Sequence, residues 1–271
     1  MRISGIGHAL FATAVAGLAM LSLVYGNFAP ISGGVPAWFP WPAAGALGSG
    51  AVLLAAAAGS FFSRTARVSV RVIGAYGLVW AAARAWAVVP DPSSIGHWYG
   101  LGEALGPLLG AWTLDALLRR PHETPAATGM SGARVRRAAR VLFGAACVTY
   151  GAAHFGYAAL TAAMVPGWLP GRLEFAYVTG AAHTAAGLGL IVGVLPRLAA
   201  TLEAIMMTLF GILVWLPSFS AQPAPEWAPT TQIRCSETFL TFLLAGSAWI
   251  VAASLRRTPD DEHRSSLRWR V

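Results

Sequence analysis

Residues 138–161 read AARVLFGAACVTYGAAHFGYAALT, with a single charged side chain, Arg140, near the start. At about 1.5 Å per residue a helix of that length outspans the ~30 Å hydrocarbon core of a bilayer. Comparable apolar runs occupy residues 6–26, 43–62, 68–89, 97–118, 173–194, 199–217 and 235–255. The chain has 271 residues, of which 56% are hydrophobic and only 11% charged, whereas soluble globular proteins carry about 25% charged residues. These proportions exclude a water-soluble globular protein. They predict an all-α membrane protein with eight transmembrane helices.

All 19 basic residues are Arg, and against 11 acids they give a net charge of +8. In a soluble protein that balance would suggest nucleic acid. Here all but Arg84, Arg172 and Arg234 fall at one set of alternating helix ends, which the positive-inside rule makes cytoplasmic. The lipid bilayer therefore accounts for the charge with no nucleic-acid partner, and both termini are expected in the cytoplasm. The first run is longer than a signal-peptide core and lacks a clear cleavage site, so it reads as the first span. Cys147 falls mid-span and Cys235 at an outer end, too far apart for a disulfide, and no CxxC redox centre is present.

The chain repeats itself. Val35-Pro36-Ala37-Trp38-Phe39-Pro40 aligns with Val165-Pro166-Gly167-Trp168-Leu169-Pro170, and at the same offset Gly50 aligns with Gly180, Gly59 with Gly189 and Arg67 with Arg197. The repeat predicts two tandem four-helix bundles, residues 1–118 and 138–255, joined by a cytoplasmic linker at 119–137 and followed by a cytoplasmic tail at 256–271. An even number of spans per half puts the pseudo-twofold axis along the membrane normal. The Val-Pro-x-Trp-x-Pro segment reads as a rigid interfacial elbow, with a lid over a cavity as the alternative, because its prolines remove backbone donors and its Trp suits the headgroup layer. Small residues such as Gly45, Gly59, Gly180 and Gly187 read as surfaces for close helix packing.

Ionisable side chains within a span need a partner or a purpose. Arg84 and Glu103 sit at similar depth and are expected to pair, with a ligand site as the alternative. Glu203 reads as a residue about one turn inside the cytoplasmic end that reaches Arg197 or the interfacial water, and Asp115 as the partner of Arg119 at spacing four. The second half differs by its histidines. Cys147, Tyr150, His154, Tyr157 and Thr161 form one helical stripe, Thr179 and His183 share a face, and so do Glu237 and Thr241. Convergence of these faces would build a cluster whose catalytic candidates are His154, Glu237 and His183, with Tyr150, Thr179 and Thr241 as binding candidates. A carboxylate beside an imidazole can pass a proton or hold a polar head group such as a quinone carbonyl. The bland reading is that the same residues only join helices. The candidates lie on separate helices with no i, i+4 pair of ligands, so no metal is assigned.

The second half resembles the DoxX-like family of small four-span membrane proteins. The resemblance rests on His154-Phe155, the Val165 to Pro170 motif, Thr179-Gly180-Ala181-Ala182-His183 with Gly187, Arg197-Leu198-Ala199-Ala200, and Ser236-Glu237-Thr238 leading into Leu244-Ala245-Gly246-Ser247-Ala248-Trp249. It covers residues 138–255, and residues 6–118 only through the repeat. It implies a four-helix bundle per half and, for some relatives, the membrane subunit of a quinone-linked oxidoreductase, multi-pass in a bacterial-type cytoplasmic (inner) membrane with an oxidoreductase partner. At the offset of the repeat His154 and His183 meet Val24 and Leu53, so any activity is expected in the second half. The alternatives are a non-catalytic scaffold that recruits a partner through the basic linker, and a small-solute or lipid carrier. A carrier would need a midplane site between repeats, and no broken midplane helix is expected.

Overall fold

The computed structural model describes residues 5–28, 41–118 and 132–255. The Val35 to Pro40 motif, linker residues 119–131 and the tail 256–271 lie outside the described residues. The described residues are helical and contain no strand: α1 (Ile6–Tyr25), α2 (Pro42–Gly59), α3 (Ala66–Val88), α4 (Ile95–Leu118), α5 (Gly132–Gly156), α6 (Ala158–Met164), α7 (Arg172–Val192), α8 (Pro196–Ser218) and α9 (Thr231–Ser254). Five of them, α1, α2, α7, α8 and α9, are long and apolar enough to cross a membrane, and the bent pair α5–α6 makes six if counted as one span. Helices α3 and α4 fall short of the same apolarity: α3 carries Arg67, Arg71 and Arg84, and α4 carries Glu103 and Asp115.

Two segments depart from the expected spans. Helix α5 starts at Gly132, so Arg134, Arg136 and Arg137 of the expected linker are already helical. The expected fifth span does not run straight to residue 161, because the chain turns through 93° between α5 and α6. A Cβ on Gly156 would meet Ile95 Cδ1 at 2.5 Å, so the start of α4 abuts the end of α5 where the chain turns. Tyr157 and Thr161 therefore leave the α5 stripe. Helix α8 also contains a π-helical turn, Gly211–Trp215, where Gly211 lies against the Phe242 ring. Such turns re-aim the following side chains.

The halves interlock. Helix α1 packs on α2 and on α9, and α5 packs in the same way on α7 and on α4. The pairs α3·α4 and α8·α9 are likewise equivalent, while α4 and α9 meet each other across the centre. The repeat therefore survives in the packing, but the core is shared between the halves. The most apolar stretch of α9 is 72% buried and that of α1 56%, against 28% for α2 and 33% for α7. Trp41 (φ 49°) and Gly171 (φ 64°), equivalent in the two repeats, both hold left-handed backbone just before α2 and α7.

Close helix contacts use the glycines. A Cβ on Gly187 would stand 2.5 Å from the Gly144 carbonyl oxygen, and one on Gly144 would stand 2.7 Å from that of Gly187, so α5 and α7 touch backbone to backbone. Gly7 and Gly246 do the same for α1 and α9. Large apolar side chains such as Val52, Leu188, Val192 and Leu202 point outward. That surface suits hydrocarbon better than water, and several of these helices could span a membrane.

Candidate functional site

The α7–α8 hairpin sets the chemistry of the second half. Helix α7 ends at Gly193, whose φ of 86° is a conformation glycine adopts without strain and whose N–H donates to the Gly189 carbonyl at 2.9 Å. His183 and Glu203 lie ten residues on either side of this turn, hence at one depth on neighbouring antiparallel helices. His183 Nδ1 stands 2.9 and 3.1 Å from the two Glu203 carboxylate oxygens. The pair is sealed from solvent, with side-chain exposures of 1% and 0%. The Cys147 thiol also faces this carboxylate. Glu203 is thus not the interfacial residue reaching Arg197 that its place in the sequence suggests. Its spacing from Gly193 is the available signal, hidden because α8 begins three residues before the expected span.

On α5, His154 Nδ1 stands 2.9 Å from the Tyr150 carbonyl oxygen. A carbonyl only accepts, so Nδ1 carries the proton and Nε2 of the neutral ring is an acceptor. The His154 and His183 rings are 4.8 Å apart between centroids, and Phe210 lies against both. Tyr150 meets His183 edge-on, and its hydroxyl donates to the Gly102 carbonyl of α4 at 2.9 Å, joining the halves beside the site. The Thr179 hydroxyl donates to the Phe175 carbonyl at 2.8 Å.

These side chains border a cavity of about 450 Å³ enclosed by α5, α6, α7, α8 and α9, with Tyr99 of α4 at one wall. All six candidates, His154, Glu237, His183, Tyr150, Thr179 and Thr241, reach its wall. The remaining lining is apolar and aromatic, including Phe175, Met206, Leu213 and Trp215. Leu160, Leu202 and Leu209 border the cavity and are also exposed, so it reaches the lateral surface of the bundle. Val165, Pro166 and Leu169 of the second Val-Pro-x-Trp-x-Pro motif close one end, beside α6. No hydrogen bond joins His154 to Glu237 directly. Among the described residues no group of three His, Cys, Asp or Glu is placed to hold a metal ion.

The repeat supplies an internal control. At the offset that puts Val165 on Val35, His183 falls on Leu53, Glu203 on Ile73 and Phe210 on Trp80. All three first-half residues line a void of only about 20 Å³, closed by Val15, Leu18, Tyr76 and Pro107. Trp80 is 2% exposed and fills the space. One copy is therefore packed solid and apolar, while the other is open and carries a buried His–Glu pair.

The expected contacts of the remaining charges change in detail. Arg84 makes no salt bridge with Glu103. Its guanidinium lies across Gly100, its charge acts on both Glu103 and Glu237, and its Nε is buried without a hydrogen-bond partner. Glu103 and Glu237 face each other where α4 meets α9, with Tyr99 beside Glu103. Asp115 takes Arg67 Nε at 3.3 Å and Arg71 Nε at 3.1 Å, both from α3, whereas its expected partner Arg119 lies outside the described residues. Both cysteines are free.

A protein family described as a domain of unknown function (DUF8561) matches residues 143–252, the stretch that holds His154, His183, Glu203 and Glu237. No curated protein and no solved structure matches the chain.

Proposed function

We propose that the chain is a multi-pass membrane protein whose second half binds a small amphiphile, with the head group at His154, His183 and Glu237 and the tail along the apolar wall toward the lipid. The observation that carries this reading is the contrast between the repeats, an open cavity with a buried His–Glu pair in one and a filled apolar core in the other. A pair that only joined helices would not need an empty space beside it, and burying a carboxylate without a purpose is unfavourable. Ligand cavities are typically apolar with a few convergent polar groups and lie in this size range.

In its fuller form the proposal makes the protein an eight-span, DoxX-like subunit of a quinone-linked oxidoreductase, resident in a bacterial-type cytoplasmic membrane with both termini inside and working with an oxidoreductase partner rather than nucleic acid. His154 and Glu237 then exchange protons with the bound head group, and Glu203 fixes the His183 ring. Fixing a histidine through its second nitrogen is the usual way a site orients an imidazole.

Mass spectrometry of organic extracts from the purified protein, and from a folded, membrane-inserted His154→Ala/Glu237→Gln variant, tests the reading. A stoichiometric amphiphile is expected in the first and not in the second. A wild-type protein that carries no specific molecule would sink it.

A further inference from the structure

Four of the polar side chains around the cavity share one property, which is that a proton of each points into the protein. His154 directs Nδ1–H to the Tyr150 carbonyl, and His183 directs Nδ1–H to Glu203. Tyr150 directs its hydroxyl proton to the Gly102 carbonyl, and Thr179 directs its own to the Phe175 carbonyl. What His154, Tyr150 and Thr179 leave for a ligand is lone pairs: Nε2 of the neutral His154 imidazole, and the spare acceptor capacity of two hydroxyl oxygens. The Thr241 and Tyr157 hydroxyls, also on the wall and held by no hydrogen bond among the described residues, can turn either way.

We infer that the head group taken by this cavity is a hydrogen-bond donor, a phenol- or hydroquinone-type hydroxyl on an aromatic ring that bears an apolar tail. The inference rests on the amphiphile reading and narrows it. A head group that only accepts, such as the carbonyls of an oxidised quinone or an ether, would face the His154 Nε2 lone pair with no proton between them. A hydroxyl meets His154 Nε2 as donor to acceptor. The aromatic preference follows from the slot itself, where Phe210 stacks on His154 at 6.0 Å with planes 22° apart, and Phe175, Tyr157 and Trp215 complete the walls. The tail follows from Leu160, Leu202 and Leu209, which carry the cavity to the bundle surface.

The test compares 4-nonylphenol with 4-nonylanisole, which share ring and tail and differ by the hydroxyl proton. Binding to the full chain, freed of co-purifying lipid, is measured by isothermal titration in detergent at pH 8, where an unperturbed imidazole is neutral. The phenol is expected to bind at least about tenfold more tightly, the ratio that one unmet buried polar group produces. The His154→Phe variant is expected to bind both alike. Equal or tighter binding of the anisole by the wild-type protein overturns the donor inference and leaves the amphiphile site standing. Binding of neither compound overturns the amphiphile site itself. Because the wild-type comparison decides the matter alone, a poorly folding variant does not protect the inference.

Discussion

The first half of the chain states how the buried pair of the second could be replaced. At Leu53 and Ile73 the same fold accommodates two apolar side chains where the second half has His183 and Glu203. Consider Glu203→Ile, His183→Leu and the two together. Glu203→Ile leaves the His183 Nδ1–H at 1% exposure with no acceptor, which costs about 1–3 kcal/mol for a neutral donor. His183→Leu strands a carboxylate in a dry core, and removing one partner of a buried pair costs about 3–5 kcal/mol. The double variant leaves neither group unmet. Apolar replacement of a buried pair is neutral or stabilising by about 1–4 kcal/mol. The double variant should therefore be at least as stable as either single, with a coupling of about 2 kcal/mol or more across the cycle. Thermal unfolding of the four proteins in one detergent measures it. Singles that lose no more than an ordinary surface substitution, about 0.5 kcal/mol, or additive losses in the double, would refute the sealed pair.

Three further outcomes follow from packing. Gly187→Val would drive a side chain into the Gly144 carbonyl and Val148, and overpacking against backbone should lower stability by about 3 kcal/mol. Gly48→Ala, with nothing within 4 Å of the added Cβ, should be neutral or stabilising by up to about 1 kcal/mol, and the same unfolding assay reads both. Trp80→Ala should destabilise by about 3–5 kcal/mol and open in the first half a space like the one beside His183, detectable as uptake of xenon or a small aromatic.

The helices and the internal repeat are legible in the sequence because apolar runs and spacing can be read without knowing the packing. The faces bearing Tyr150, His154, Thr179, His183, Glu237 and Thr241 are legible for the same reason, since a helical period places them without knowledge of neighbours. What joins two helices is not. The bend after Gly156 lies against Ile95, which is remote in the chain and belongs to the other half, and the interlocking of α1 with α9 depends on which helix lies across the centre. Glu203 is easily misplaced because a span drawn a few residues short puts it one turn from an end, when the turn at Gly193 sets its depth. Arg84 and Glu103 are expected at one depth, yet the Arg84 guanidinium lies across Gly100 and its charge acts on both Glu103 and Glu237 without a salt bridge to Glu103.

The account stands or falls on what occupies the second-half cavity. An experimental density map of the protein in nanodiscs of its native lipid would show it directly. The prediction is one elongated non-protein feature between α5, α7 and α8, its head within hydrogen-bond distance of His154 Nε2, with solid protein packing around Trp80 in the first half. A second-half cavity that is closed by side chains, or filled by disordered acyl chains that leave His154 uncontacted, would contradict it.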